Sequence, residues 1–186
     1  MSGSSLDGVD IACCDFVVQE ESWSYIYHFA ETVPFTAGVK EKLISAPSMS
    51  GKELRVLDVE LGTLLGVMTK DFVRRHQIEG LELVSSHGHT VFHHPERGFS
   101  TQIGSGAHLA ASCGYPVVCD LRSGDLAKGG QGAPIVPIGE QFLFQAYDAF
   151  LNIGGIANLS VYHEGRLHAW DIAAANQVLN FLARKE

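Results

Sequence analysis

Three glycine-rich clusters and two strand-end carboxylates carry the groups that could do chemistry in this chain of 186 residues. The first cluster is SGSSLDGVD, from Ser2 to Asp10. A turn lined by Gly3, Ser4, Ser5 and Gly8 exposes backbone N–H groups and hydroxyls that can receive phosphate oxygens. Asp7 could hold a magnesium ion through water, since Mg²⁺ prefers oxygen ligands and keeps part of its hydration shell. No Gly-Lys-Ser/Thr follows, so this is not a Walker loop, and an ordinary β-turn is the plain alternative. The second cluster, NIGGIAN at 152–158, puts Gly154-Gly155 between two apolar runs, which alone is common hairpin punctuation. It gains interest by echoing the first, because two such turns across a cleft could clamp the phosphates of a nucleotide. The third, GGQGAP at 129–134, surrounds Gln131 with glycines and follows Arg122 and Asp125. It suits a surface loop and a loop that wraps a polar ligand about equally.

Asp171, in AWDIAAAN, stands at the end of an apolar strand and before a helical stretch. A carboxylate there could act as general base toward an attacking oxygen, or simply cap the helix that follows. Asp120, at the end of PVVCDL, has the same two readings. The run HGHTVFHH would put His87, His89 and His93 on one face of an extended strand, as metal ligands are arranged. The run itself holds no carboxylate or cysteine, so a histidine-based metal hydrolase is the weakest of the chemical readings.

These groups need elements to hold them. Residues 6–19 and 23–35 are apolar, β-branched and aromatic, and read as two antiparallel strands around the polar turn QEES. A helix is expected over 36–45. Ser50 and Glu53 have capping-box spacing, and Leu54, Leu57, Leu61, Leu65, Met68 and Phe72 then form one stripe at helical period. That helix should end near Gln77, with Asp58 off the stripe and with Gly62 and Gly66 open to close backbone packing. LELVSS (81–86) and PVVCDL (116–121) read as short buried strands. Residues 90–94 and 99–103 flank a Pro95–Gly98 turn, residues 106–112 read as helical, 122–134 as an irregular loop, and 137–147 as a short helix. From 149 to 173 the pattern is strand, Gly-Gly turn, strand, His-Glu-Gly turn, strand, with a helix from Asn176 onward. The alternation predicts an α/β fold whose second part restarts the logic of the first.

Composition narrows the classes. Lys and Arg number 13 against 21 Asp and Glu, a net charge of −8 with pI near 5.5, which argues against a nonspecific nucleic-acid binder. With 46% apolar and 18% charged residues the chain is globular in composition. No apolar run approaches a membrane span, and MSGSSLDGVD lacks the features of a secretory signal, so no membrane partner and a cytoplasmic location are expected. Cys13, Cys14, Cys113 and Cys119 form no CxxC pair and read as free thiols.

Taken together and in order, MSGSSLDGVD, SSHGHTVFHHP, TQIGSGAHLA, PVVCDLRSGDLAKGGQGAPIVP and LNIGGIANLS resemble the anhydro-N-acetylmuramic acid kinase family, over essentially the whole chain. The resemblance implies an actin-like, ribonuclease H-like ATPase lobe with a mixed sheet flanked by helices (1–147), and the beginning of a duplicated second lobe (148–186). The chain is then expected to be an N-terminal portion, in which an exposed half-lobe would seek a partner such as a second copy of itself. It implies an ATP- and Mg²⁺-dependent opening and phosphorylation of 1,6-anhydro-N-acetylmuramic acid, giving N-acetylmuramic acid 6-phosphate, in cytoplasmic peptidoglycan recycling. By resemblance, Gly3, Ser4, Ser5, Leu6, Asp7, Gly8, Val9 and Asp10 match the ATP-phosphate loop, with Asp7 toward the metal, and Gly154 and Gly155 match the second-lobe turn. Asp171 matches the catalytic base, and Arg122, Gly130 and Gln131 match the region near the sugar. The segment DIAAAN departs from the family's usual Gly-Pro after the base, and the strand expected ahead of the first motif is absent. A noncatalytic sugar- or nucleotide-binding module derived from the kinase is the alternative.

Overall fold

The computed structural model describes residues 1–3, 6–133 and 135–183, which divide into two compact units. The first unit comprises Met1–Cys13 and His28–Ala133, and the second Cys14–Tyr27 with the chain from 134 onward.

The first unit is built around one long helix. β1 (Gly8–Gln19) and β2 (Ser22–Pro34) pair across Glu20-Glu21, whose φ values of 47° and 69° are the left-handed conformations a two-residue hairpin turn needs. Thr36 caps α1 (Ala37–Ser45) through its hydroxyl, and a 3₁₀ turn at Ala46–Ser48 leads to α2 (Gly51–Arg75). The expected capping box forms, with Ser50 and Glu53 each satisfying the other's backbone N–H. Leu57, Leu61, Leu65 and Phe72 are buried, as the periodicity requires. They form the core with Val9, Phe35, Leu43, Ile103, Leu109 and Cys113.

Gly62 and Gly66 explain how α3 (Gly106–Cys113) comes so close to α2. A Cβ on Gly62 would lie 2.5 Å from the Ser105 carbonyl oxygen, and one on Gly66 would lie 2.6 Å from that of Leu109. Each glycine costs α2 about 1 kcal/mol of helix propensity and is retained because the partner backbone occupies the place of a side chain.

Elsewhere the structure is less regular than expected. Of 81–86 and 116–121, only β3 (Val84–Ser85) and β6 (Val117–Val118) pair, in parallel, through Val84 N–H to Pro116 O and Ser86 N–H to Val118 O. β4 (His89–His94) and β5 (Phe99–Ile103) form the expected hairpin around a 3₁₀ turn at Pro95–Arg97, with Gly98 at φ 73°. The stretch read as an irregular loop contains a short helix, α4 (Ser123–Ala127), whose buried Leu126 gives it an anchor.

The second unit contains α5 (Val136–Leu143), β7 (Ala149–Ile153), β8 (Ile156–His163), β9 (Arg166–Ala174) and α6 (Asn176–Ala183). β7, β8 and β9 form an antiparallel sheet in that order. On its β8 side, Ser160 donates to the buried Glu140 carboxylate and the Tyr162 hydroxyl to the Pro137 carbonyl, tying α5 to the sheet. The hairpin tip belongs here too, with Trp23 against Phe142 and Tyr25 against Phe144 at 5.9 and 5.7 Å between ring centroids. The fold is mixed α/β, but its described strands form four small sheets rather than the one mixed sheet expected. None of the four cysteines is in a disulfide. Among the described residues no helix is long and apolar enough to cross a membrane.

Candidate functional site

A cleft of about 470 Å³ in the first unit is bordered by Asp58, His87, Gln102, Ser105, Cys119 and Asp120. Asp58 was expected off the apolar stripe of α2 but is only 8% exposed, because the chain gives it partners there. Its Oδ1 accepts the Gly104 N–H at 2.8 Å, its other oxygen pairs with Arg55, and its carbonyl accepts the Ser105 N–H at 3.0 Å. A buried carboxylate is retained when its lone pairs are filled in this way. Asp58 thereby fastens the start of α3 to α2 and shapes one wall of the cleft. The other wall is set by Gly106, where any Cβ would collide with the Cys119 sulfur.

Beside the cleft, His87 and Arg122 interlock. The His87 Nε2 receives Arg122 Nε–H at 3.1 Å and Nη2–H at 2.9 Å. A guanidinium has no acceptor, so Nε2 carries no proton and the ring proton sits on Nδ1, 3.2 Å from the Gly88 carbonyl it donates to. Burial, and then the adjacent Arg122 charge, holds the His87 pKa below its usual value. Burial also lowers that of Arg122. The remaining Arg122 contact runs from Nη1 to the Gly132 carbonyl. Gly132 is held from the other side as well, its N–H donating to Asp125 Oδ2 at 2.7 Å. The same carboxylate fills the space where Gly130 would carry a Cβ. Arg122, Gly130 and the exposed Gln131 are therefore gathered in one organised loop, while Asp120 accepts the Ser123 hydroxyl at 2.6 Å.

The N-terminal cluster also lies in the first unit. Met1 and Asp10 exchange backbone hydrogen bonds of 2.7 and 2.9 Å, which hold the two ends of the cluster together. Leu6 has φ 55°, and its N–H donates to the Gly3 carbonyl at 3.2 Å. Asp7 is exposed, whereas Gly8 and Val9 are buried. Gly8 has a packing reason to be glycine, since a Cβ would run into the Val33 carbonyl. Asp10 accepts the Thr32 hydroxyl at 2.6 Å. Ser4 and Ser5 lie outside the described residues.

The histidines do not converge. A register shift between Thr90 and Phe92 in β4 breaks the alternation expected of His89 and His93, and His87 lies before the strand, across Gly88 at φ 69°. His89 faces Ser2 at 3.2 Å, His93 faces Ser100 at 3.1 Å, and His94 faces Glu96 at 3.0 Å. Among the described residues no group of three His, Cys, Asp or Glu side chains is placed to hold a metal ion.

In the second unit, Gly154 and Gly155 turn between β7 and β8 and meet the start of α6. Their carbonyls accept the N–H groups of Asn176 and Ala175, each at 3.0 Å, and the Asn176 side chain donates to the Ile153 carbonyl at 3.3 Å. Asp171 is exposed in β9 and pairs with Asn158, next to a register shift between Ala157 and Asn158. It does not cap the last helix, because β9 continues to Ala174 and the helix begins at Asn176. The sequence considered His87 only as a metal ligand and passed over Asp58. The one available signal was that SHG follows a short strand, where a side chain reaches a cleft.

Helices on small sheets, with an organised glycine turn in each unit, make this a mixed α/β protein of the kind that forms a kinase lobe. Residues 1–186 match the family described as anhydro-N-acetylmuramic acid kinase, and the chain belongs to that family. Curated relatives carrying that name occur in Sulfurimonas denitrificans at 32% identity, Vibrio vulnificus at 36% and Pseudomonas putida at 34%. The alignments cover 100%, 97% and 100% of this chain, and 51%, 50% and 52% of the respective relatives. The chain thus spans about half the length of the relatives it matches.

Proposed function

We propose that the chain carries the first lobe (1–147) and the opening of a duplicated second lobe (148–186) of an actin-like kinase. That kinase uses ATP and water to convert 1,6-anhydro-N-acetylmuramic acid to N-acetylmuramic acid 6-phosphate, in the cytoplasm, during peptidoglycan recycling. The observation that carries the reading is the family match across the whole chain. In this reading Gly3–Asp10 and Gly154–Gly155 line the ATP phosphates, with the N–H groups of Leu6, Asp10 and Gly154 already donated to the Gly3, Met1 and Ile156 carbonyls, and Arg122, Gly130 and Gln131 contact the sugar. The Asp7 carboxylate is exposed and makes no hydrogen bond or ion pair to a described residue, which fits a group left for a cation. Asp7 would hold Mg²⁺ through water, and the ion would neutralise phosphate charge.

Asp171 takes a proton from the water that attacks the anomeric carbon. The bond from that carbon to O6 breaks with its electron pair staying on O6, and O6 attacks the γ-phosphorus as ADP leaves. Exposure supports this role for Asp171, since no described side chain competes for its lone pairs. β9 runs on through Ala173 and Ala174, within the segment DIAAAN that departs from the family's usual Gly-Pro. The apolar residues exposed on β7 to α6 fit a face on which the rest of a second lobe packs, or else a second copy of the chain. Incubating the chain with ATP, Mg²⁺ and the anhydro-sugar, with mass spectrometry of the products, tests the reading. The 6-phosphate is expected, and it should vanish in Asp171→Asn. Sugar or nucleotide binding without product would favour a noncatalytic module.

A further inference from the structure

The Arg122 guanidinium is half-buried, yet its partners are all neutral. They are the His87 imidazole, which takes two N–H groups on one nitrogen, and the Gly132 carbonyl. Among the described residues no carboxylate pairs with it. A desolvated cation without a counter-ion is expensive, and proteins retain one chiefly where an anion arrives to complete it. Two of its five N–H groups remain without a described partner, the number a carboxylate or phosphate can accept side by side. The arrangement is also rigid. Gly132 is clamped between Arg122 and Asp125, and the His87 ring is fixed by Gly88 at one nitrogen and by Arg122 at the other.

We propose that His87 is a positioning residue, which as a neutral acceptor holds the Arg122 guanidinium as a seat for an anionic group of the substrate. A carboxylate in place of His87 would fill the charge and close the seat. The imidazole instead orients the fork and leaves its charge unspent. The inference rests on the sugar-kinase reading only for the source of the anion, which is the carboxylate of the muramic acid or a phosphate of the nucleotide.

The test is calorimetric binding of three probes to the purified chain: 1,6-anhydro-N-acetylmuramic acid, 1,6-anhydro-N-acetylglucosamine, which lacks the carboxylate, and inorganic phosphate. Wild type should prefer the acidic sugar. His87→Leu should weaken that sugar about tenfold, the order of one charge-assisted hydrogen bond, with the neutral sugar changed less than about twofold. His87→Gln, whose amide oxygen can still accept from Arg122, should restore most of the affinity. A loss confined to phosphate, and rescued by Gln, would keep the seat and assign it to the nucleotide. Phosphate binding that needs Arg122, with neither sugar bound, would keep the seat while overturning the sugar reading. Equal losses for both sugars, a Gln variant as weak as Leu, or no binding of any probe would overturn the proposal.

Discussion

The two units bury their apolar residues very differently. In the first, α2 puts Leu61 and Phe72 at 2% exposure, and the glycines at 62 and 66 let α3 close over it. In the second, every residue of β9 is exposed, including Trp170 at 49% and Ile172 at 52%, and Leu151 and Ile153 of β7 stand at 58%. Hydrogen bonding is complete enough to define the strands of both units, yet of the buried apolar residues described all but Ala175 lie in the first. Backbone pairing and side-chain burial are separable, and here the polar chemistry divides along the same line. The organised cleft, with its interlocked His87 and Arg122, belongs to the closed unit, whereas the proposed base Asp171 stands on the open sheet.

The contrast can be broken most forcefully at Asp171. Asp171→Asn should lower kcat about a thousandfold, the scale of a lost general base, while leaving the thermal midpoint unchanged. A comparable loss of stability would show that Asp171 holds the sheet together. Next come the apolar residues themselves. Phe72→Ala should cost about 3–5 kcal/mol in chemical denaturation, whereas Leu167→Ala, at a site 41% exposed, should cost less than about 1 kcal/mol. Similar values at both would erase the distinction between the units. Gly62→Ala should destabilise by about 1–3 kcal/mol despite its better helix propensity, because the new methyl meets the Ser105 backbone. Ser50→Ala should cost about 1 kcal/mol through loss of the capping box, as read by the same denaturation curves.

A smaller effect follows from pH. Burial lowers the pKa of both His87 and His89 in the folded chain, so unfolding takes up protons at mildly acid pH. Their contribution is complete above the unfolded value of 6.5 and is lost as pH falls through it toward the folded values. The charged groups that bear on His87 are Arg122, the Met1 amino group and His89, and all of them oppose its protonation. Thermal midpoints should therefore fall from neutral to mildly acid pH, and His87→Gln should flatten that dependence.

Much of the first unit could be read from residue types. The spacing of Leu57, Leu61, Leu65 and Phe72 requires a buried helical face, and Gly62 and Gly66 announce a close neighbour. The partners of polar side chains could not be read in the same way, because they come from distant segments. Asp58 meets Gly104 across 46 positions, and Arg122 meets His87 across 35. The bulge in β4 was equally hidden, and it falls between His89 and His93, while Gly88 at φ 69° falls between His87 and His89. In the second unit the strands were legible from their apolar runs, but a single sequence shows nothing of what covers them. The general-base role proposed for Asp171 was preferred over a helix cap only through the family resemblance, because a strand-end carboxylate suits both.

The most direct test of the central claim is turnover in heavy-oxygen water. The chain is incubated with ATP, Mg²⁺ and 1,6-anhydro-N-acetylmuramic acid, and the product is fragmented in the mass spectrometer. The account predicts ATP-dependent N-acetylmuramic acid 6-phosphate with one heavy oxygen on the anomeric carbon and none in the phosphate. Heavy oxygen in the phosphate, or consumption of ATP without any 6-phosphate, would contradict it.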